Sequence, residues 1–364
     1  MRPTWIEIDL GAIRDNVAAI AAAVAPARVC AVVKADGYGH GDVPTAEAAR
    51  EGGAQWLAVA LVAEGARLRE AGVDGPILLL SEPFPEEVSE IVRWELTPTV
   101  YRESFVDALA EVAPAGYPAH LKVDTGMHRV GASPEEAGRL ATLIERKGLV
   151  LEGVWTHFAV SEEDPMYTAE QTQRLMGFLG GLAARGVVPP ILHASNTGGA
   201  LGDPSARLDM VRVGIGIYGL RPAPGFHPEV PLRPAMRVVS HVSFLQRLPA
   251  GARPSYGRVR PLAAESTVAT VPIGYADGVP RRLREAGGMV LIRGKRRPFA
   301  GTVTMDQIVV DMGDDPVEVG DEVVLLGAQG GEEITAGEWA DLLGTIVYEI
   351  VCGFGPRIPR RYHG

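Results

Sequence analysis

Cysteine is nearly absent from this 364-residue chain. Cys30 and Cys352 stand far apart with no metal-ligand spacing around them, which excludes a disulfide framework and a thiolate metal site. Positive charge is in deficit too. There are 35 Lys and Arg against 45 Asp and Glu, a formal charge of −10, whereas nucleic-acid binding needs clustered cations. No apolar run is long enough for a membrane span: the longest, 17–33, is mostly alanine and is broken by Pro26 and Arg28. The first residues alternate charged and apolar side chains without the apolar core of a secretory signal. The expectation is a cytoplasmic globular enzyme with no membrane, nucleic acid or metal partner. Hydrophobic and charged fractions of 46% and 22% suit one.

Lysine is also rare. Only Lys34, Lys122, Lys147 and Lys295 occur among the 35 cations. Lys34 directly follows the apolar run Val29-Cys30-Ala31-Val32-Val33. Burial there would lower its pKa from the free value of ~10.4, giving a neutral amine able to form a Schiff base. The same spacing also suits a lysine that snorkels from a strand end. From the residues alone both readings stand.

Short apolar runs at 29–35, 56–62, 76–81, 96–101, 120–124, 151–158, 191–196 and 210–218 read as strands buried on both faces. Between them, 46–53, 63–72, 85–94, 103–113, 134–148 and 168–186 have helical spacing, several ending in Gly, and 196–209 has room for a short helix. Eight strands alternating with helices predict an α/β fold, a TIM-like (β/α)₈ barrel, in preference to an open doubly wound sheet. Segment 221–228 reads as a Pro- and Gly-punctuated linker. Beyond it, alternating runs at 236–248, 266–272, 289–293, 297–303, 307–312 and 322–326, with one helical stretch at 336–343, predict a mainly antiparallel β domain. The expected domains are a barrel over 10–230 and a β domain over 231–364, which strand 5–9 joins.

Barrel enzymes carry reactive groups at the C-terminal ends of their strands. Those ends here hold Lys34, Lys122 with Asp124, His157, Asn196 with Thr197, and Arg212 before Gly214. The glycines after the last two strands suit an anion held by backbone N–H groups, and also suit plain packing. Gly214-Ile215-Gly216-Ile217-Tyr218-Gly219 matches a dinucleotide fingerprint formally. Pro222 and Pro224 stand where its helix must follow, so that reading is rejected. His157 fits a base, a stacking partner or a core histidine. A buried Arg212 requires hydrogen-bond partners.

Taken in order, a set of motifs resembles the alanine racemase family over the whole chain. The motifs are Ala31-Val32-Val33-Lys34-Ala35-Asp36-Gly37-Tyr38-Gly39-His40-Gly41, 121–131, Thr156-His157-Phe158-Ala159, His193-Ala194-Ser195-Asn196-Thr197, Val211-Arg212-Val213-Gly214-Ile215, Ser255-Tyr256-Gly257, 272–278, Met305-Asp306-Gln307 and Tyr348-Glu349-Ile350.

The resemblance implies a pyridoxal 5'-phosphate enzyme interconverting L- and D-alanine by two bases, supplying D-alanine for cell-wall peptidoglycan. It implies a homodimer whose active site is shared between subunits. Lys34 would carry the cofactor and act as one base, and Tyr256 from the partner subunit as the other. Arg212 would hydrogen-bond the ring nitrogen beside His157. Tyr38, Asn196, Thr197, Gly214 and Ile215 would line the cofactor, most of them at its phosphate. Arg129, Met305 and Asp306 would meet the substrate carboxylate, and Lys122 matches a lysine often carbamylated. Three positions depart from the family pattern. Thr197 replaces Ser, Thr304 replaces Cys, and Pro356 replaces a phosphate-touching tyrosine. Rival readings are a racemase acting on serine or lysine, a barrel decarboxylase, for which an acidic residue would replace Arg212, and a non-catalytic cofactor carrier, which would lack the second domain.

Overall fold

The computed structural model describes residues 2–227 and 229–364. Met1 and Pro228, the latter closing the expected linker, lie outside the described residues. Two compact units result. One comprises 11–37 and 41–234; the other comprises the residues up to Leu10, 38–40, and 235–364.

After β1 (Trp5–Asp9), which belongs to the second unit, the first unit contains eight parallel strands. They are β2 (Arg28–Val32), β3 (Trp56–Val59), β4 (Ile77–Leu79), β5 (Thr99–Val100), β6 (Pro118–Lys122), β7 (Val150–Trp155), β8 (Ile191–His193) and β9 (Met210–Val213). They form two arcs, β4-β3-β2-β9 and β5-β6-β7-β8. Backbone bonds join the arcs at both seams. Leu79 N–H donates to Thr97 O and Thr97 N–H to Ile77 O, each at 2.9 Å; Asp209 N–H donates to Leu192 O at 3.0 Å and Arg212 N–H to Ser195 O at 2.9 Å. The ring is thereby closed, as the strand count predicts. All of β3, β4 and β9 is buried, which is why these strands read as continuous apolar runs instead of alternating ones.

Helices separate the strands. Two of them show how their starts are set. Ser133 accepts from Glu136 N–H at 3.2 Å before Pro134–Arg146, and Asp164 accepts from Tyr167 N–H at 3.0 Å before Pro165–Ala183. Proline needs no donor in a first helical turn, so the second helix starts three residues ahead of the expected 168. Helix α1 (Leu10–Val24) was not expected. Its buried Ile13, Asn16, Val17, Ile20 and Val24 carry helical spacing that the surrounding alanines conceal.

The second unit holds two sheets. Strands β10 (Met236–His241), β13 (Met289–Ile292), β14 (Lys295–Pro298), β16 (Glu322–Gln329), β17 (Glu332–Ile334) and β18 (Arg360–His363) join β1 in one; β11 (Phe244–Leu248), β12 (Ser266–Val271) and β15 (Ile308–Gly313) form the other. Pairing is antiparallel except between β1 and β18. The expected strand 236–248 is two strands in different sheets, broken at Val242 and Ser243. The expected strand 297–303 ends at Pro298, since proline supplies no donor to carry the ladder on. Strand β18, Arg360-Arg361-Tyr362-His363, shows no alternation because it lies on a sheet edge and is mostly exposed.

The chain leaving the barrel is pinned beside α1. The Asn16 side chain donates to Ile217 O at 3.1 Å and to Arg233 O at 2.9 Å, and accepts from Arg233 N–H at 2.8 Å. Gly219 sits between them at φ 78°, and a Cβ there would lie 1.7 Å from Arg233 O. Gly219→Ala should therefore destabilise the barrel by about 3 kcal/mol. An unchanged urea midpoint would contradict this close approach.

Candidate active site

Strand β2 stops at Val32, so Lys34 stands just beyond the strand and is half-buried. Ala35, Asp36, Gly37 and Tyr38 follow at φ 53°, 53°, 59° and 53°, a full left-handed turn. Such geometry costs roughly 1–2 kcal/mol per non-glycine residue, and local bonds hold it. Gly37 N–H donates to Val33 O at 3.0 Å and Gly41 N–H to Asp36 O at 2.8 Å. The buried Glu64 carboxylate accepts from Ala35, Ala60 and Leu61 N–H at 2.7, 2.8 and 3.0 Å. Glu64 therefore clamps the segments after β2 and after β3 together. Strain of this kind concentrates at functional sites.

Strands β6, β7, β8 and β9 contribute Lys122, Trp155, His193 and Arg212 to one buried polar layer. The Trp155 indole is its centre. Lys122 Nζ lies 4.1 Å from a Trp155 ring centroid and Arg212 Cζ 4.4 Å from one, while the His193 ring stacks at 5.4 Å and 11°. One Arg212 nitrogen, Nη1, donates to His193 Nδ1 at 2.9 Å. The other, Nη2, donates to Thr156 O and Ala194 O, each at 2.9 Å, and to His157 Nδ1 at 3.2 Å. The Nε–H and the second Nη1–H make no hydrogen bond to the described residues, so two N–H groups remain available to a ligand.

This layer controls protonation around it. Burial pushes Arg212 down to about 10, which leaves it a cation at neutral pH. Burial first, then the Arg212 charge, holds both His157 and His193 well below the usual imidazole range; both rings are neutral. Burial, followed by Arg212 and Arg129, pushes Lys122 down to about 7. Arg129 itself lies on an exposed loop, and its side chain makes no hydrogen bond to the described residues.

The segments after β8 and β9 meet at Thr197. Its buried hydroxyl accepts from Gly214 N–H at 3.2 Å and from Gly216 N–H at 3.4 Å. Asn196 Oδ1 accepts from Gly199 N–H at 2.9 Å and from the Ser161 hydroxyl at 2.7 Å. A Cβ at Gly216 would lie 2.9 Å from Thr197 Cγ2, so packing also requires that glycine. Ile215 is fully buried.

The remaining expected residues lie in the β unit. Tyr256 is 73% exposed, on a turn held by Thr302, whose hydroxyl donates to Tyr256 O at 3.0 Å. Met305 is exposed as well, and Asp306 pairs with Arg357 at 2.7 Å, next to Pro356. Tyr38 groups with this unit, its ring centroid 6.1 Å from that of Tyr348. Burial and then Tyr348 raise its hydroxyl pKa. Three residues of these assemblies carry no sequence signal that assigns them a role. Trp155 is hidden in an apolar run, Arg357 stands among C-terminal arginines, and His193 only opens the 193–197 motif.

A closed parallel barrel with a lysine beyond its first strand, joined to an antiparallel β unit on one chain, defines a two-domain barrel enzyme. Models of the alanine racemase N-terminal and C-terminal domains match residues 8–222 and 235–362. Alanine racemases of Symbiobacterium thermophilum and Halothermothrix orenii are 49% and 42% identical, covering 100% and 99% of this chain and 98% and 97% of their own. The E. faecalis alanine racemase structure matches at TM-score 0.93 and 39% identity, over 100% of this chain and 98% of its own. The Bacillus anthracis enzyme with bound L-Ala-P matches at 0.94 and 36%, over 100% and 96%. The chain belongs to the alanine racemase family.

The depressed Lys122 pKa makes a stability prediction. Between its folded value of about 7 and the unfolded value of ~10.4, the unfolded chain binds a proton that the folded one lacks. Raising the pH across this window therefore favours the folded state. In carbon-dioxide-free buffer, Lys122→Met should be more stable than wild type at pH 7, with the difference in denaturant midpoint closing toward pH 10. A difference independent of pH would show that Lys122 is not desolvated.

Proposed function

We propose that the chain interconverts L- and D-alanine using pyridoxal 5'-phosphate, with Lys34 and Tyr256 as the two bases and a homodimer as the working form. The observation that carries this reading is Arg212, a buried guanidinium whose Nε–H has no acceptor among the described residues. That donor suits an unprotonated ring nitrogen. A carboxylate at the same place would instead favour a proton there, as decarboxylation requires. The rest of the donor set fits as well. Thr197, Gly214 and Ile215 bring hydroxyl and backbone groups to one place, as a phosphate needs, and the neutral His157 beside Arg212 offers a ring face.

When bound, the cofactor supplies an electron-withdrawing system that acidifies the amino acid's Cα proton. Racemisation then needs one group to take a proton from one face of Cα and a second to deliver one to the other. Lys34 Nζ serves one face. The Tyr256 hydroxyl, exposed in the single chain and carried on a constrained turn, serves the other from a second copy. Arg129 binds the substrate carboxylate, and Met305 and Asp306 of the second copy approach it from the other side. Lys122, with a depressed pKa, is a nucleophile toward carbon dioxide, and its carbamate would turn a cation beside Arg129 into an anion that orients it. With Thr197 at the phosphate and Pro356 beside Arg357, no tyrosine at 356 contributes. The alanine named for the relatives is the substrate expected, with peptidoglycan as the destination of its D-form.

Circular dichroism of L-alanine, D-alanine, L-serine and L-lysine incubated with cofactor-loaded protein tests the reading, and only the alanines should lose optical rotation quickly. Lys34→Ala should lose both the visible cofactor absorption and turnover; a variant keeping both would remove Lys34 from its role. Tyr256→Phe should retain cofactor and lose about 100-fold or more in rate, unequally in the two directions as followed by solvent-deuterium incorporation. Equal retention in both directions would remove Tyr256 as a base.

A further inference from the structure

The polar layer around Arg212 continues behind His193, through two residues given no part above. His193 Nε2 lies 2.9 Å from His120 Nδ1, and His120 Nε2 lies 3.3 Å from Glu152 Oε2. The chain runs across four strands: Arg212 on β9, His193 on β8, Glu152 on β7 and His120 on β6. Both histidines are fully buried, while the Glu152 side chain is 28% exposed.

The direction of every bond is fixed by chemistry. A guanidinium has donors only, so Arg212 donates and His193 Nδ1 accepts. The His193 proton must then sit on Nε2, which donates to His120 Nδ1. That places the His120 proton on Nε2, where it donates to the Glu152 carboxylate. Only one arrangement satisfies all four groups. Without an acceptor at 152, the Nδ1–H form of His120 becomes accessible. It would set two N–H groups against each other, and relieving that clash by flipping His193 would set a second N–H against Arg212.

The packing is built for this ring. A Cβ at Gly153 would lie 2.4 Å from His120 Nδ1, so the glycine beside Glu152 leaves the space the imidazole fills. Trp56 and His193 flank that ring at 5.2 and 5.0 Å. Burial holds His120 below its ordinary range even though Glu152 opposes the shift; the chain is thus one of neutral rings, and it orients instead of carrying charge.

We propose that Glu152 is a positioning residue for the reaction: acting as terminal acceptor, it fixes the tautomers of His120 and His193 and thereby holds the Arg212 guanidinium in one orientation. The proposal rests on Arg212 serving the cofactor's ring nitrogen. Because Glu152 is partly solvated, its part in the proposal is that of an acceptor oxygen, which a neutral amide can also supply.

The test is nitrogen-15 NMR of histidine-labelled, cofactor-loaded protein, with His120→Asn and His193→Asn used for assignment, alongside alanine racemisation kinetics. In the wild type both rings should be neutral and protonated at Nε2. Glu152→Leu should mix the His120 tautomers and lower kcat by ~10-fold, the scale of lost outer partners in other sites, with KM changed far less. Glu152→Gln keeps an acceptor and should restore both the tautomers and kcat. An Nδ1–H or cationic ring in the wild type would overturn the proposal, even where Glu152→Leu fails to fold. So would a folded Glu152→Leu with wild-type tautomers and kcat, or a Gln variant no better than Leu. Failure of the functional reading itself would look different: the wild type would not take up the cofactor or would not racemise alanine, whatever the tautomers.

Discussion

A buried cation with no carboxylate is the constraint on which the barrel's interior depends. Among the described residues nothing anionic pairs with Arg212. Two backbone carbonyls, two imidazole nitrogens and an indole face take the place of water. An isolated charge in the interior is tolerated only when polar partners replace the water it loses, and here four acceptors do so. The unneutralised charge then governs its neighbours. Burial first, and then this fixed positive charge, lowers the pKa of His157, His193 and Lys122.

The sequence made some of this legible and hid the rest for definable reasons. Strands buried on both faces, such as Trp56–Val59 and Met210–Val213, announce themselves as short apolar runs, so the barrel could be counted. Lys34 was conspicuous through the scarcity of lysine and the run before it. The left-handed turn after it was not, since Asp36 and Gly37 tolerate positive φ but Ala35 and Tyr38 do not favour it, and the stabilising Glu64 is nearly thirty positions away. The partners of Arg212 are also remote in sequence. A buried arginine implies partners without naming them, and backbone carbonyls leave no mark in a sequence at all.

Boundaries failed where a single residue outweighed the pattern. Pro165 moved a helix start forward, and Pro298 ended a strand. At Val242 and Ser243 one apparent strand changes sheet, a break that apolar residues on both sides conceal. The hairpin between β16 and β17 turns at Gly330-Gly331, a glycine pair that favours such turns. The expected site residues divide between two units, Lys34, Lys122, Arg129, His157, Asn196, Thr197, Arg212, Gly214 and Ile215 in one and Tyr38, Tyr256, Met305 and Asp306 in the other. The expected domain bounds already put Tyr256, Met305 and Asp306 in the β domain; the grouping of Tyr38 with them has no mark in the sequence.

The four-strand polar chain has a consequence for how the barrel is assembled. A strand that slips by one residue turns each of its side chains to the opposite face. For an apolar strand such as β3 the slipped form still buries hydrocarbon and loses little. For β6, β7, β8 or β9 it removes one member of the chain and strands the others in the interior without partners. The polar layer thus acts as a register check on half of the barrel. It penalises misaligned strands before any ligand arrives, with selection against wrong structures obtained from the same atoms that orient the guanidinium in the right one.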